Sequence, residues 1–424
     1  MFTLPQLLVV LLYFAQNKPI SAGVCSASCN CSSENVPQLD NKEYFILRCS
    51  DELVDVSNAS LADVFYYKAS GDSVIMDSNI LHRFYNLKFL SIDGGVQSLS
   101  SIPEIVSLRI LEIMHTSISY LPEQGFASIS GRLTFLSLTF SDLEAFSNDA
   151  FAGLDYLETL NLSHNGIEKV SSALLSNLNA LQILDLSFNN IRSVSSSDFA
   201  GLKFLRRLNL DNNNIYSLSF IAFSNSGVSL SVQGNPLSIL SWQGNTKTRL
   251  SSLRLGGNSL TLLQKKTFVN VNIETISITS SDKLRLIDRE AFVNVTVANI
   301  SITNNSKLEY IDPQIFKNVK NLRHIDISFN KLRIVPRALS RLPSIESIVA
   351  MGNPLLCDCN IRWIGNSDSK VNIDSSCTSQ KDTTKRLPTK CLPRLVYRSN
   401  NVTTIDEGLA TTLRCKVGSW YCSH

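Results

Sequence analysis

Leucine, isoleucine and valine recur along this chain in one frame. Three consecutive blocks align without gaps, LETLNLSHNGIEKVSSALLSNLNA, LQILDLSFNNIRSVSSSDFAGLKF and LRRLNLDNNNIYSLSFIAFSNSGV. Each begins L-x-x-L-x-L-x-x-N-x-I and carries an apolar residue, often Phe, near its end. The first positions fall at Leu87, Leu108, Leu133, Leu157, Leu181, Leu205, Gly227, Leu250, Ile273, Val297, Leu322 and Ile345, twelve units spaced 21 to 25 residues apart, with a weaker unit at Leu61. In LETLNLS the alternation predicts a short strand with Leu157, Leu160 and Leu162 on a buried face and Thr159, Asn161 and Ser163 on the other. A polar position follows each strand: Asn165, Asn189, Asn213, Asn235, Asn258, Asn305, Asn330 and Asn353. Buried amides need partners, so these asparagines are expected to bond backbone groups between successive units. Gly95, Thr116, Ser141 and Ser281 interrupt the series, which predicts less regular geometry in the first three units. Phe126, Phe151, Phe199, Phe223, Phe268, Phe292 and Phe316 form a second column, expected to be core because repeats bury a face only against neighbours.

This frame resembles the leucine-rich repeat over residues 57–356. The resemblance implies an α/β-type repeat solenoid, a curved horseshoe with a parallel concave sheet and stapled caps at both ends. The units starting at Ile273 and Val297 each carry one extra residue before Lys-Leu, which suggests duplication of one unit.

The segments outside the repeats assign a compartment. An apolar run from Leu7 to Ala15, followed by the small pair Ser21-Ala22, reads as a secretory signal peptide over residues 1–22. The run is too short to span a bilayer. Export makes disulfides the first reading of the 10 cysteines, which cluster at Cys25, Cys29, Cys31 and Cys49, at Cys357, Cys359, Cys377 and Cys391, and at Cys415 and Cys422. Each group of four admits three connectivities, and a zinc site is the rival reading that export and the lack of nearby histidines weigh against. The first cluster (residues 23–56) and the second (353–392, with NPLLCDCNIRWI and Trp363) resemble the terminal caps of extracellular leucine-rich repeats. That resemblance implies the pairs Cys25–Cys31, Cys29–Cys49, Cys357–Cys377 and Cys359–Cys391. In residues 393–424 the order E-G-x-x-x-x-L-x-C, with Leu409, Thr411, Leu413 and Cys415 alternating, resembles the second strand of an immunoglobulin domain. About 100 residues are needed for such a domain, so this one is expected to be incomplete.

Charge and motifs narrow the function. The formal net charge of +3, with 18% charged residues, argues against a dedicated nucleic-acid binder. No nucleophile elbow, phosphate loop or zinc-protease helix occurs. His82, His115, His164, His324 and His424 are isolated in sequence, and those beside strands read as ordinary surface histidines. No catalysis and no cofactor are therefore expected. The candidate contact is the open inner sheet, where Ile183, Asp185, Phe188, Arg207, Asn209, Asp211 and Arg254 point outward. Phe188 has two readings, a partner anchor or a ring packed over its own ladder. Sequons occur at Asn30, Asn58, Asn161, Asn294, Asn299, Asn304 and Asn401; the one at Asn30 lies inside a cysteine cluster, and those at Asn161 and Asn299 point to the inner face. Lys381, Lys385, Arg386, Lys390, Arg394 and Arg398 form a basic run, usually a solvated surface and otherwise a contact for heparan sulfate. The whole resembles the leucine-rich-repeat and immunoglobulin-domain family of cell-surface proteins. That resemblance implies an extracellular, protein-binding module of the adhesion or receptor type; the alternatives are a fragment of a peroxidasin-like matrix enzyme, or a secreted scaffold.

Overall fold

The structure, a computed structural model, describes residues 87–94, 104–219, 221, 223, 227–244, 249–312 and most of 314–355, with the backbones of six further strands at 29–35, 43–50, 66–70, 371–372, 402–405 and 413–416. Two compact units divide the chain. The first comprises Met1–Ile215 with Ile221–Val232, and the second Tyr216–Phe220 with Gln233–His424.

In the first unit the strands are β1 (Cys29–Asn35), β2 (Glu43–Ser50), β3 (Tyr66–Ser70), β4 (Phe89–Asp93), β5 (Ile110–Met114), β6 (Phe135–Thr139), β7 (Thr159–Asn161), β8 (Ile183–Asp185), β9 (Arg207–Asn209) and β10 (Val228–Ser231). β1 and β2 pair antiparallel with Cys29 opposite Cys49, and from β2 to β10 every pairing is parallel. The second unit repeats the scheme in β11 (Arg249–Gly256), β12 (Asn272–Thr279), β13 (Asn299–Thr303), β14 (His324–Asp326), β15 (Ser347–Val349) and β16 (Val371–Asn372). A separate antiparallel pair joins Val402–Ile405 to Leu413–Lys416, so part of the alternating stretch near Cys415 is a strand.

The parallel solenoid departs from the expected α/β type. Among the described residues the α-helix is the single turn Ser172–Leu175, with a 3-10 turn at Ala127–Arg132. Where the return segments are regular they form strands of two to five residues that pair with the same position of the next repeat, Leu262 with Leu286, Leu286 with Tyr310, and Phe268 with Phe292. Pairing between repeats satisfies the backbone that a helix would have satisfied within itself.

The apolar first positions are buried, from Leu87, Leu108 and Leu133 at 0% exposure to Leu250 at 4%. All seven phenylalanines of the second column are also buried. Within each unit neighbours stack, Phe126 on Phe151 at 6.0 Å in the first and Phe292 between Phe268 and Phe316 at 5.0 and 6.4 Å in the second.

Most of the asparagine column does what a buried amide must; the exception is Asn258, whose Oδ1 accepts the Leu260 N–H at 3.0 Å while its Nδ2 is buried with no partner among the described residues. Asn189 Oδ1 accepts the Ile167 N–H at 3.1 Å, and its Nδ2 donates to the carbonyls of Leu162, Leu186 and Ser187 at 2.9, 3.1 and 3.2 Å. Asn213 repeats the pattern on Ile191 and Leu186 one unit on, as Asn330 and Asn353 do in the second unit. The interruptions do not break the frame as expected. β4, β5, β6 and β7 keep one continuous register, because Asn165 reaches back to take the N–H groups of Ser141 and Leu143 and donates to Leu138 O. Ser141 Oγ donates to Thr139 O, whereas Thr116 Oγ1 is buried with no partner among the described residues.

Asn189→Ala strands one N–H and up to three carbonyls in a dry interior. It is expected to destabilise the protein by about 1–3 kcal/mol, while Asn190→Ala, at an exposed position, stays within about 0.5 kcal/mol. Denaturant titration of the two variants measures the difference, and equal losses would show that the ladder amide contributes nothing of its own.

Candidate functional site

The residue just before each ladder position has left-handed backbone. In the first unit these are His115, Phe140, His164, Phe188 and Asn212, with φ of 52, 52, 57, 54 and 53°. Side chains other than glycine and asparagine pay roughly 1–2 kcal/mol for this conformation. It is imposed by the next repeat, since Phe140 N–H donates to His164 O at 2.9 Å, His164 N–H to Ser187 O at 3.0 Å and Phe188 N–H to Asp211 O at 2.9 Å. Backbone strain held in place by its surroundings is a reason to look for a function.

Because each backbone is pinned alike, the four rings fall into one column. His115 stacks on Phe140 with centroids 5.1 Å apart, Phe140 on His164 at 4.1 Å, and His164 on Phe188 at 4.2 Å and 8°. Such pairs add about 0.5–1.5 kcal/mol each beyond area burial. At one end His115 Nδ1 lies 2.7 Å from Asp93 Oδ1. The column is not a closed core, for Phe140 is 47% and Phe188 41% exposed. One face of the Phe188 ring packs on His164, and much of the ring meets solvent. Sequence reasoning missed the two histidines as members of this column. The legible signal was their spacing of 25, 24 and 24 residues through His115, Phe140, His164 and Phe188.

In the second unit the equivalent residues Ser280, Asn304 and Phe329 form no such column, and only Phe329 carries a ring. Phe329 lies over Gly352, where an added Cβ would meet the ring at 2.4 Å, so a glycine is required beneath it.

The expected contact residues divide between the units. Ile183 and Asp185 stand on β8 opposite Arg207 and Asn209 on β9, all at least partly exposed. Asp185 accepts from Ser187 N–H at 2.9 Å and Oγ at 2.6 Å and from Asn209 Nδ2 at 3.0 Å, while Asp211 accepts from Ser231 Oγ at 2.7 Å. These six, Ile183 to Asp211, share one face with the aromatic column. Arg254 stands on β11 in the second unit and is not part of it.

The face is electrically polarised along its strands. Lys88, Arg109, Arg206 and Arg207 stand at the strand starts, against Glu158. Burial and the neighbouring Arg132 charge hold Arg109 below the usual guanidinium range. Asp93 and Asp185 end β4 and β8, Asp211 lies two residues past β9 and Asp142 three past β6, and no Lys or Arg stands at the last residue of a strand in this unit among the described residues.

Asn161 Oδ1 accepts the Ser163 N–H and Asn299 Nδ2 donates to Thr275 Oγ1 at 3.2 Å, so both inner-face sequons are half-buried, whereas Asn294 and Asn304 are exposed. The side chains of the cap cysteines and Asn30, together with Asn58, Asn401, Cys422 and the Lys381–Arg398 run, lie outside the described residues. A groove of about 470 Å³ in the second unit is lined by Arg249, Glu274, Thr296 and Arg323. Its cations are met by Glu274 at 3.0 Å and Glu346 at 3.9 Å. No group of metal-binding side chains occurs among the described residues, and no helix among them is long and apolar enough to cross a membrane.

The repeat geometry agrees with comparison to known proteins. The model of the leucine rich repeat matches residues 106–167, 155–215 and 295–355. The chain carries leucine-rich repeats. Over 64 residues it is 31% identical to human matrix-remodeling-associated protein 5, a match covering 15% of this chain and 2% of that protein's length. A leucine-rich-repeat protein of Leptospira interrogans aligns over 78% of this chain and 89% of its own, at 18% identity and a TM-score of 0.47. A chain of the Drosophila Toll–Spatzle complex aligns over 90% and 78%, at 15% identity and a TM-score of 0.40.

Burial holds His164 below its ordinary value near 6.5, opposed by the negative charge of Asp185. The unfolded chain then binds this proton at a pH where the folded repeats do not, so stability falls as pH drops below about 6.5. His164→Phe keeps the stack and is expected to remove that share of the acid-side loss. Melting temperatures of both proteins between about pH 7.5 and 5 measure it, and parallel curves would refute the assignment.

Proposed function

We propose that the sheet face of the first unit binds another protein outside the cell, and that the chain works by recognition rather than catalysis. The observation that carries this reading is the aromatic column, strained in backbone, half-exposed in its rings and continuous with the polar positions of β8 and β9. Aromatic residues beside charges of both signs are common anchors of protein interfaces, and repeat sheets offer a broad surface rather than an enclosed pocket. The signal-like segment at residues 1–22, the cysteine clusters and the sequons support an extracellular or cell-surface location. The name of the human relative favours a second reading, a secreted matrix scaffold that uses the same face.

The test places a glycan on that face. Arg207→Asn with Asn209→Thr creates a sequon on β9, and Ser195→Asn creates one at an exposed position away from the strands. Wild type and both variants, expressed in a glycosylating host, are screened against a panel of secreted and membrane-protein ectodomains. Partners are expected to be lost with the β9 glycan and kept with the Ser195→Asn glycan. A partner that binds all three proteins alike would move the function off this face.

A further inference from the structure

The polarity of the first unit's face has a consequence for what it holds. The aromatic column runs along the strand ends, and the ionisable groups around it are carboxylates. Asp93 bounds the column at His115, Asp142 follows Phe140 by two residues, Asp185 stands on the same repeat as Phe188 and Asp211 on the next one. Asp142 is exposed, and no lysine or arginine pairs with Asp142 or Asp185 among the described residues. Asp185 is held by neutral donors, Ser187 and Asn209, so its orientation is set while its charge is not cancelled.

We infer that this edge docks an extended segment of a protein partner that presents arginine and lysine side chains. The inference rests on the reading of the face as a protein-binding surface and adds the chemistry of the partner. An arginine or lysine is an apolar stem with a cationic head, and stems settle on apolar surface while heads stay wet or meet anions. The half-exposed rings of Phe140 and Phe188 supply the apolar strip, and the carboxylates on either side supply the anions. Their spacing is that of successive repeats, about 4.8 Å per strand, so an extended segment lying across the strands meets a ring or a carboxylate at every step. An acidic partner would face four carboxylates at this edge. It could use only the opposite edge, at Arg206 and Arg207, where no aromatic column lies. The net charge of the whole chain is +3, so an unspecific electrostatic contact would select an acidic partner, opposite to the choice inferred for this edge.

The probes are fluorescein-labelled nona-arginine and nona-glutamate peptides, titrated by anisotropy into the full exported chain at about 0.15 M salt. Nona-arginine is expected to bind and nona-glutamate to bind at least tenfold more weakly. Asp142→Asn combined with Asp185→Asn keeps shape and the bonds from Ser187 while the bond from Asn209 is given up, and asparagine tolerates the left-handed backbone of position 142. The pair is expected to weaken nona-arginine roughly fivefold to tenfold. Phe188→Ala, checked by its melting curve, is expected to weaken it severalfold, and Arg206→Ala to leave it unchanged or tighten it. Preference for nona-glutamate, or nona-arginine binding that survives both the double substitution and Phe188→Ala, overturns the inference. If ectodomain partners are lost with the β9 glycan while nona-arginine fails to bind, the chemistry assigned to the partner is wrong and the protein-binding face stands. If no partner responds to the glycan, the face itself is wrong.

Discussion

A buried amide, present in most of the repeats, holds the rest of this structure in place. Short parallel strands cannot satisfy their own turns, and each turn leaves an N–H and several carbonyls facing a dry interior. Asn189 meets this need with one side chain, accepting from Ile167 and donating to three carbonyls, two of them in its own turn and one in the preceding repeat. An unmet backbone group would cost about as much as one repeat gains from a buried leucine. The asparagine therefore sets where each turn lies.

The aromatic column rests on pairing between repeats. The residue before each ladder position is held in left-handed backbone by its N–H bond to the next repeat, whether asparagine, Thr116 or Ser141 follows it, and successive repeats then point that residue the same way. At Asn212 and Gly234 the conformation is accommodated cheaply, whereas at His115, Phe140, His164 and Phe188 it carries rings into solvent. Stability alone would favour asparagine or glycine at these four positions. Their presence beside the carboxylates of Asp93, Asp142, Asp185 and Asp211 places strain and negative charge on the same edge.

The repeat frame, the buried columns and the outward direction of Ile183, Asp185, Arg207 and Asn209 were legible from spacing, because a period of 24 residues with alternating leucines admits one parallel arrangement. The helical return segments implied by family resemblance were not realised. Return segments rich in serine, asparagine and β-branched residues pair strand to strand with the next repeat instead of winding, and among the described residues only Ser172–Leu175 forms an α-turn. The expected irregularity of the first repeats also failed, since Asn165 bonds back across the gap left by Ser141.

What the sequence determined by itself was periodicity: which residues are buried, where the turns lie, and which positions face outward. Those follow from local alternation and the fixed rise of a strand, neither of which needs distant contacts. Only the tertiary structure decided that His115 and His164 join Phe140 and Phe188 in one stack, that Asp93 closes its end, and that Arg254 stands in a different compact unit from the other expected contact residues. Side chains a full repeat apart in sequence become neighbours at van der Waals distance through strand pairing, and no reading of one repeat at a time contains that distance.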